Sequence, residues 1–120
     1  MPTPQSYHSK QEQCVFRALA DPTRREILLL LSRQDMTIAQ VCTHFDITRA
    51  AVKKHLTILG EGELISVLPR GRERVNRLEP QGLKSVSDWL NYFSQFWDQR
   101  LSLLQDAVAR EQANQGKEEQ

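Results

Sequence analysis

The stretch TIAQVCTHFDITRAAVKKHLTIL, residues 37–59, decides the fold of this chain. Apolar residues recur at helical spacing on both sides of Asp46, which predicts two short helices joined by a tight turn. Thr37 followed by Gln40 is a capping-box signature, and Thr48 is a suitable N-cap for the second helix. Asp46 is expected to take a positive φ in the turn.

One face of the second helix is predicted to point outward, opposite its apolar stripe. That face carries Arg49, Ala50, Lys53, Lys54 and Thr57. Small residues allow close approach to a duplex, and cations reach phosphates or the acceptor edge of guanine in the major groove. The plain alternative is a solvated face of an ordinary helical bundle. The predicted turn and the hairpin that follows favour a helix-turn-helix. In such a unit, the side chains of Thr37, Gln40 and Thr48 are expected to hold DNA phosphates.

A basic β-hairpin is predicted directly after the second helix. Residues 65–68 and 73–78 have strand character, and the glycine-containing segment 69–72 is an acceptable connection between them. Three arginines lie at or beside this tip, namely Arg70, Arg72 and Arg74. The tip of such a wing can follow the phosphate backbone or enter the minor groove, where arginine is favoured. A solubilising turn is the alternative interpretation.

Residues 9–112 are predicted to form one winged helix-turn-helix domain, mainly α-helical with a small β-hairpin. Flexible segments are expected at both ends, at 1–8 and 113–120. Helices at 9–20 and 22–33 are expected to precede the central stretch. The second of these is nearly continuously apolar, which predicts a central core helix.

The last predicted helix, at 80–112, carries more apolar surface than a small winged helix needs to cover itself. Its apolar residues recur at steps of three and four. The helix either packs across its own domain or packs against a second copy of itself, and the second arrangement is favoured, with the 9–20 helix contributing. The predicted dimer interface consists of Val15, Leu19, Val86, Trp89, Leu90, Phe93, Trp97, Leu101 and Leu104.

Charge is distributed unevenly along a chain whose net charge is only +1. Residues 48–78 contain seven Lys or Arg against three acids, and the remainder is net acidic. Such a basic segment is typical of a DNA-facing surface. No apolar run approaches the ~20 residues of a membrane span, and residues 1–10 lack an apolar signal core, so we expect a cytoplasmic protein. No catalytic constellation is present, and we predict neither an enzyme nor a cofactor.

Three phrases of the sequence resemble the ArsR family of bacterial winged-helix repressors. They are FRALADPTRREIL at 16–28, AVKKHLTIL at 51–59, and GRER with RLEP at 71–74 and 77–80. The resemblance covers about residues 10–105. It implies a homodimer, formed by the first and last helices, that binds imperfect inverted repeats in promoters and usually represses transcription. We therefore predict a sequence-specific regulator of transcription that uses the 48–59 helix and the 69–74 wing.

The metal sites of that family do not carry over to this sequence. One requires a Cys-x-Cys pair on the first helix of the helix-turn-helix, where only Cys42 is present. The other requires histidines on the last helix, whereas His8, His44 and His55 lie elsewhere. Because zinc is held by about four nitrogen, sulfur or oxygen ligands, no metal is predicted. The closer resemblance is to the non-metal branch of the family.

Two other functions stay open at this point. The protein is a winged helix that binds another protein through its aromatic last helix and touches DNA weakly, or it is a repressor that responds to oxidation of Cys14 or Cys42. No small-molecule or protein effector is identified by any motif. Arg24 and Arg25 open a helix, where the dipole disfavours cations, so they are expected to face a phosphate or an acidic neighbour. His55 is expected to be packed inward.

Overall fold

The computed structural model describes residues 9–118 and confirms the predicted order of elements. The elements are α1 (Lys10–Leu19), α2 (Pro22–Arg33), α3 (Ile38–Cys42), α4 (Arg49–Glu61), β1 (Ile65–Arg70), β2 (Glu73–Leu78), a 3-10 turn (Pro80–Leu83) and α5 (Lys84–Glu118). The chain divides into two compact units between Ser87 and Asp88. The first unit therefore contains α1 to β2, and most of α5 forms the second.

Each of the first four helices is preceded by an N-cap residue, whose side chain accepts a hydrogen bond from the backbone N–H three residues later. These residues are Ser9, Asp21, Thr37 and Thr48. The predicted capping box is confirmed, because Gln40 donates its N–H to Thr37 Oγ1 at 3.2 Å and Thr37 donates its N–H to Gln40 Oε1 at 2.8 Å. Such caps satisfy helix-end N–H groups that have no partner inside the helix.

The core of the first unit is built around α2, as predicted. Its side chains Ile27, Leu30 and Leu31 are at most 5% exposed, although Leu29 stays 56% exposed on the outer side. They pack with fully buried side chains from the other elements, namely Val41, Val52, Leu59 and Leu64. This core fixes the orientation of α4, because the buried half of that helix cannot turn outward without losing apolar contacts.

The turn between α3 and α4 differs from the expected one. Among the described residues, the non-glycine residue with a positive φ is Glu63, at 56°, so the prediction for Asp46 is wrong. The chain leaves α3 through right-handed backbone at Thr43, with φ −65° and ψ −18°. His44 then donates its N–H to the carbonyl of Val41 at 3.1 Å. The end of α3 therefore continues into a turn closed by a hydrogen bond between residues three positions apart, and no left-handed residue is needed there.

The two strands form the predicted antiparallel hairpin, in which Ile65 pairs with Leu78 at the open end. Its connection is shorter than the expected 69–72, because pairing continues as far as Arg70 and Glu73. Only two residues remain in the turn, and the first, Gly71, has a φ of 64°. A glycine at that position suits the type II′ turn, which matches the twist of the flanking strands.

A third backbone segment pairs with the hairpin. Met36 donates its N–H to the carbonyl of Asn76 at 3.1 Å and accepts from the Asn76 N–H at 2.7 Å. The Asn76 side-chain amide donates to the same Met36 carbonyl at 3.2 Å, which satisfies a polar group that is only 6% exposed. These bonds hold β2 against the loop between α2 and α3, so the hairpin is anchored to the helical core.

The last helix also differs from its predicted bounds. The chain first makes the short 3-10 turn, and α5 then continues to Glu118, beyond the expected end at residue 112. The predicted tail at 113–120 is therefore helical as far as Glu118, and residues 119–120 and the predicted flexible start at 1–8 lie outside the described residues. No helix within residues 9–118 combines the length and the apolar character needed to cross a membrane.

Candidate nucleic-acid interface

The face of α4 predicted to read DNA is exposed. Thr48, Arg49, Ala50, Lys53, Lys54 and Thr57 are all accessible to solvent. The opposite face holds Val52 and Leu59, which are fully buried, and Leu56, which is 8% exposed. The helix therefore separates a basic outer face from an apolar inner one, and its first turn lies free for contact with a ligand.

A groove of about 380 Å³ lies between α4 and the hairpin. Its floor is formed by Leu56, Ile65 and Asn76, and its polar walls include Lys53 of α4 and Arg74 of β2. The structure thus brings a helix cation and a hairpin cation to one cleft, although 21 positions of sequence separate them. Two cations around one cleft favour an anionic ligand such as a phosphate.

The three wing arginines are not equivalent. All three are exposed, but Arg70 also has an acidic partner. It places Nη2 3.4 Å from Asp35 Oδ2, and Arg77 places Nε and Nη2 each 3.2 Å from the same oxygen. Asp35 therefore offsets part of the positive charge of Arg70 before any DNA is bound.

The three residues expected to hold phosphates act as helix caps in this structure. Thr48 Oγ1 accepts the Ala51 N–H at 3.1 Å, and the side chains of Thr37 and Gln40 bind each other's backbone. A hydroxyl that accepts through one lone pair keeps its hydrogen for donation, and an amide that accepts through oxygen keeps its NH₂. The capping role is thus compatible with donation to a phosphate.

Arg24 and Arg25 bind the end of α1, which the sequence did not indicate. Arg25 Nη1 donates to the carbonyl of Leu19 at 2.6 Å. Arg24 Nε and Nη2 donate to the carbonyls of Ala18 and Arg17 at 2.8 and 3.0 Å. The last carbonyls of a helix lack internal partners and carry the negative end of its dipole, so they attract cations.

The predicted inward packing of His55 is confirmed. Its side chain is 20% exposed, and its Nδ1 lies 3.2 Å from Arg24 Nη1 and 3.9 Å from Asp21 Oδ2. Burial raises the pKa of the Asp21 carboxyl, but the lowering contributions, led by the Arg24 N–H bond and the Arg24 guanidinium, outweigh it and bring that pKa below its ordinary value. Asp21, Arg24 and His55 thus connect the start of α2 with α4.

Asp21→Ala is expected to lower the free energy of unfolding by about 1 kcal/mol, because it removes the N-cap of α2. Since the folded pKa of Asp21 is lowered, its ionisation adds stability above the ordinary aspartate pKa of about 3.9. That contribution is lost as the pH falls through the lowered folded value. Urea unfolding of both proteins at neutral pH measures the loss of the cap.

Asp21→Asn is the matched control, because asparagine is an equally good N-cap and does not titrate. We expect its stability to decline less than that of the wild type between about pH 5 and pH 2. An equally steep decline in both proteins would show that the ionisation of Asp21 does not stabilise the fold.

The thiols and the other candidate metal ligands are scattered. Within residues 9–118 no group of three or more His, Cys, Asp and Glu side chains is placed to hold a metal ion. Cys14 and Cys42 are free, half-buried thiols, and Cys42 packs against the core of the first unit. A half-buried cysteine packed among apolar residues behaves as a small hydrophobic residue.

The second unit exposes a long apolar face. Leu90, Phe93, Trp97, Leu101 and Leu104 of α5 are between 38% and 67% exposed. Trp89 and Phe93 place their ring centroids 4.9 Å apart, and Tyr92 meets Phe93 edge-on at 5.0 Å. An apolar face of this extent on a single chain indicates an interaction surface.

The predicted interface needs one correction in the first unit. Val15 is 1% exposed and belongs to the core of its own subunit, so its side chain is not available to a partner. Leu19 and Val86 pack partly against the same core. The inward face of α1 is covered by the chain itself, because that face meets α2 and α4. The apolar spacing of α1 therefore reflects its own core.

Comparison with known proteins agrees with this architecture. The family model of the bacterial regulatory protein, arsR family, matches residues 21–67. The transcriptional repressor SdpR of Bacillus subtilis is 38% identical over 79 residues, which cover 66% of this chain and 88% of SdpR. The family match spans α2, α3 and α4, and so includes the basic face described above.

Two solved structures share the fold. An ArsR-like transcriptional regulator from Rhodococcus sp. RHA1 has a TM-score of 0.71 and 31% identity, over 89% of this chain and 96% of its own. The homodimeric winged helix-turn-helix DNA-binding domain Mb0332 of Mycobacterium bovis has a TM-score of 0.60 and 18% identity. The match covers 79% of this chain and 88% of the Mb0332 chain. The relatives are regulators of transcription and not enzymes. The chain belongs to the ArsR family of bacterial regulatory proteins.

Proposed function

We propose that this regulator is a homodimeric repressor that binds an inverted-repeat operator through α4 and the hairpin. The observation that carries the proposal is the exposed basic face of α4 beside the exposed arginines of the wing. Both belong to one compact unit, so a single docking of that unit engages helix and wing together. A regulator that binds chromosomal DNA acts in the cytoplasm of a bacterium, and its role requires no catalysis.

Residues near the start of α4 are proposed to contact bases. Arg49 and Lys53 can donate to guanine O6 and N7 in the major groove, and Ala50 permits close approach of the helix. Lys54 and Thr57 extend the same exposed face along α4 and are proposed to bind the flanking phosphates.

The remaining phosphate contacts are proposed to surround the start of α4 and the groove. Thr37, Gln40 and Thr48 lie at helix N-termini, where the dipole favours an anion. Lys53 and Arg74 line the groove between α4 and the hairpin, which suits a sugar–phosphate strand passing between them. The salt-dependent part of the affinity would come from these cations as they displace counterions from DNA.

Dimerisation is proposed to occur through the apolar face of α5. The interface residues are Leu19, Val86, Trp89, Leu90, Phe93, Trp97, Leu101 and Leu104, without Val15. Mb0332, which has the same fold, is homodimeric. A twofold dimer presents two copies of α4, which read half-sites about 34 Å apart along one face of the duplex.

Selection of bound fragments from the source genome tests this function. We expect the retained fragments to share an inverted repeat whose half-sites are centred about one helical turn, or a multiple of it, apart. Gel shifts with a selected fragment and with random DNA then give the specificity ratio at a fixed salt concentration. Equal affinity for selected and random DNA would reject operator binding and favour a protein-interaction module.

The pairing of Arg70 with Asp35 predicts a difference between two wing arginines. Arg72→Ala is expected to reduce the slope of log affinity against log salt by about one, because one phosphate contact disappears. Arg70→Ala is expected to reduce it by less, since Asp35 already offsets part of that charge. Titrations between 50 and 200 mM salt measure both slopes. Equal reductions would show that Arg70 exchanges Asp35 for a phosphate when DNA binds.

A further inference from the structure

We propose that Arg24 is a positioning residue for α4, acting through His55, whose ring proton it directs to Nε2. A single guanidinium thereby joins the C-terminal carbonyls of α1 to the helix that is proposed to read DNA. The consequence for DNA affinity rests on the function proposed above. The hydrogen-bond geometry does not depend on it.

One edge of the Arg24 guanidinium is held by two backbone carbonyls of α1. Nε donates to the carbonyl of Ala18 at 2.8 Å, and Nη2 donates to the carbonyl of Arg17 at 3.0 Å. Because the donors of arginine form a rigid planar fork, two bonds to neighbouring carbonyls define where the third nitrogen points. That nitrogen, Nη1, lies 3.2 Å from His55 Nδ1. The backbone of α1 thus determines the position of the group that meets α4.

The contact also defines the tautomer of His55. Arginine has donors and no acceptor, so Nδ1 must offer its lone pair and the ring proton must lie on Nε2. Asp21 Oδ2 is 3.9 Å from Nδ1, which is too long for a hydrogen bond. A proton on Nδ1 would point at a cation and would break the bond to Arg24. The bond to Arg24 therefore selects the Nε2–H tautomer.

A small rotation of α4 would be enough to misplace its exposed side chains. The helix surface lies about 5–6 Å from the axis, so a rotation of 10° moves a surface group by about 1 Å. His55 is on the inward side of α4, whereas Arg49 and Lys53 are on the exposed side. An anchor at His55 consequently limits the rotation of the face that is proposed to meet bases.

Arg25 separates this role from simple capping of α1. It donates to the carbonyl of Leu19 at 2.6 Å, at the same helix end, and no bond to α4 is seen among residues 9–118. If capping alone mattered, loss of either arginine would have the same consequence. If positioning through His55 matters, only the loss of Arg24 lowers the ratio of the affinity for selected DNA to the affinity for random DNA.

The test compares full-length wild type with Arg24→Lys, Arg25→Lys, His55→Leu and the Arg24→Lys/His55→Leu double variant. Lysine keeps the charge and loses the fork. Long-range ¹⁵N–¹H spectra give the tautomer of His55 without DNA. Gel shifts give the ratio of affinities for a selected genomic fragment and for random DNA. Thermal unfolding verifies that each variant is folded.

We expect Nε2–H in the wild type and in Arg25→Lys, and a mixture of tautomers in Arg24→Lys. The affinity ratio should fall about two- to thirtyfold in Arg24→Lys, the range for residues that act on a site without touching its ligand. It should stay unchanged in Arg25→Lys. The double variant should be no worse than either single one, because both changes break one contact.

Three results would overturn the proposal. These are a protonated Nδ1 in the wild type, an affinity ratio unaffected by Arg24→Lys, and an equal loss in Arg25→Lys. If Arg24→Lys does not fold, two measurements still test the proposal. They are the tautomer of His55 in the wild type and the affinity ratio of His55→Leu, which should fall as for Arg24→Lys. Absence of any operator would refute the proposed function, whereas the tautomer spectra would still accept or reject the anchoring of His55.

Discussion

Trp97→Glu is expected to convert the dimer into monomers and to reduce operator affinity by about 10²–10⁴-fold, the gain that linkage of two binding units provides. Trp97 is 67% exposed on the single chain and lies within the apolar face of α5. Truncating a tryptophan at the centre of an interface often costs at least 2 kcal/mol. A carboxylate placed there adds the desolvation of an unpaired charge. Light scattering after gel filtration gives the mass, and gel shifts give the affinity.

Gln99→Glu is the matched control for that change. It introduces the same charge two positions later, which is about 200° around the helix and away from Phe93, Leu101 and Leu104. We expect this variant to stay dimeric and to bind DNA with nearly wild-type affinity. If Trp97→Glu still has the mass of a dimer, the interface lies elsewhere, and the apolar face of α5 has another partner. A monomeric wild type that binds operator would reject the dimer altogether.

Arg49→Ala is expected to weaken specific binding by about 1–3 kcal/mol and to relax the preference at the base pair it contacts. Arg49 is exposed in the first turn of α4, and no ion pair or side-chain hydrogen bond holds it among residues 9–118. Its guanidinium is therefore available for two parallel bonds to guanine O6 and N7. Competition gel shifts with operator fragments mutated one base pair at a time would identify the position.

Lys54→Ala provides the comparison for Arg49. Lys54 is proposed to bind a phosphate, so its loss should weaken specific and random DNA binding by similar factors. The ratio of the two affinities should fall for Arg49→Ala and stay nearly constant for Lys54→Ala. A similar loss on both DNAs in Arg49→Ala would reassign Arg49 to the backbone and leave Lys53 as the remaining base reader.

Agreement between sequence and structure is best where the decisive contacts are local. The bond between Thr37 and Gln40 joins residues three positions apart, and so does the cap made by Thr48. Chain geometry brings such residues together as soon as a helix starts. The outward face of α4 was predictable for the same reason, because a period of 3.6 residues separates it from the buried stripe.

The errors arose where an apolar face had more than one available partner, or where a turn was assigned from residue preference alone. Val15 has the spacing of an interface residue, but its apolar side chain suits its own core equally well. The turn near Asp46 was assigned from residue preference, whereas the backbone leaves α3 without a left-handed residue. Periodicity identifies an apolar face but does not say which surface covers it.

The sequence by itself determined the starts of the first four helices, the hairpin and the basic face of α4, since each depends on residues within about one or two turns of chain. Only the tertiary structure decided where Arg24 and Asp35 act. The partner His55 lies 31 positions from Arg24, and Arg77 lies 42 positions from Asp35. Packing of the core brings these pairs together, and no local pattern encodes that proximity.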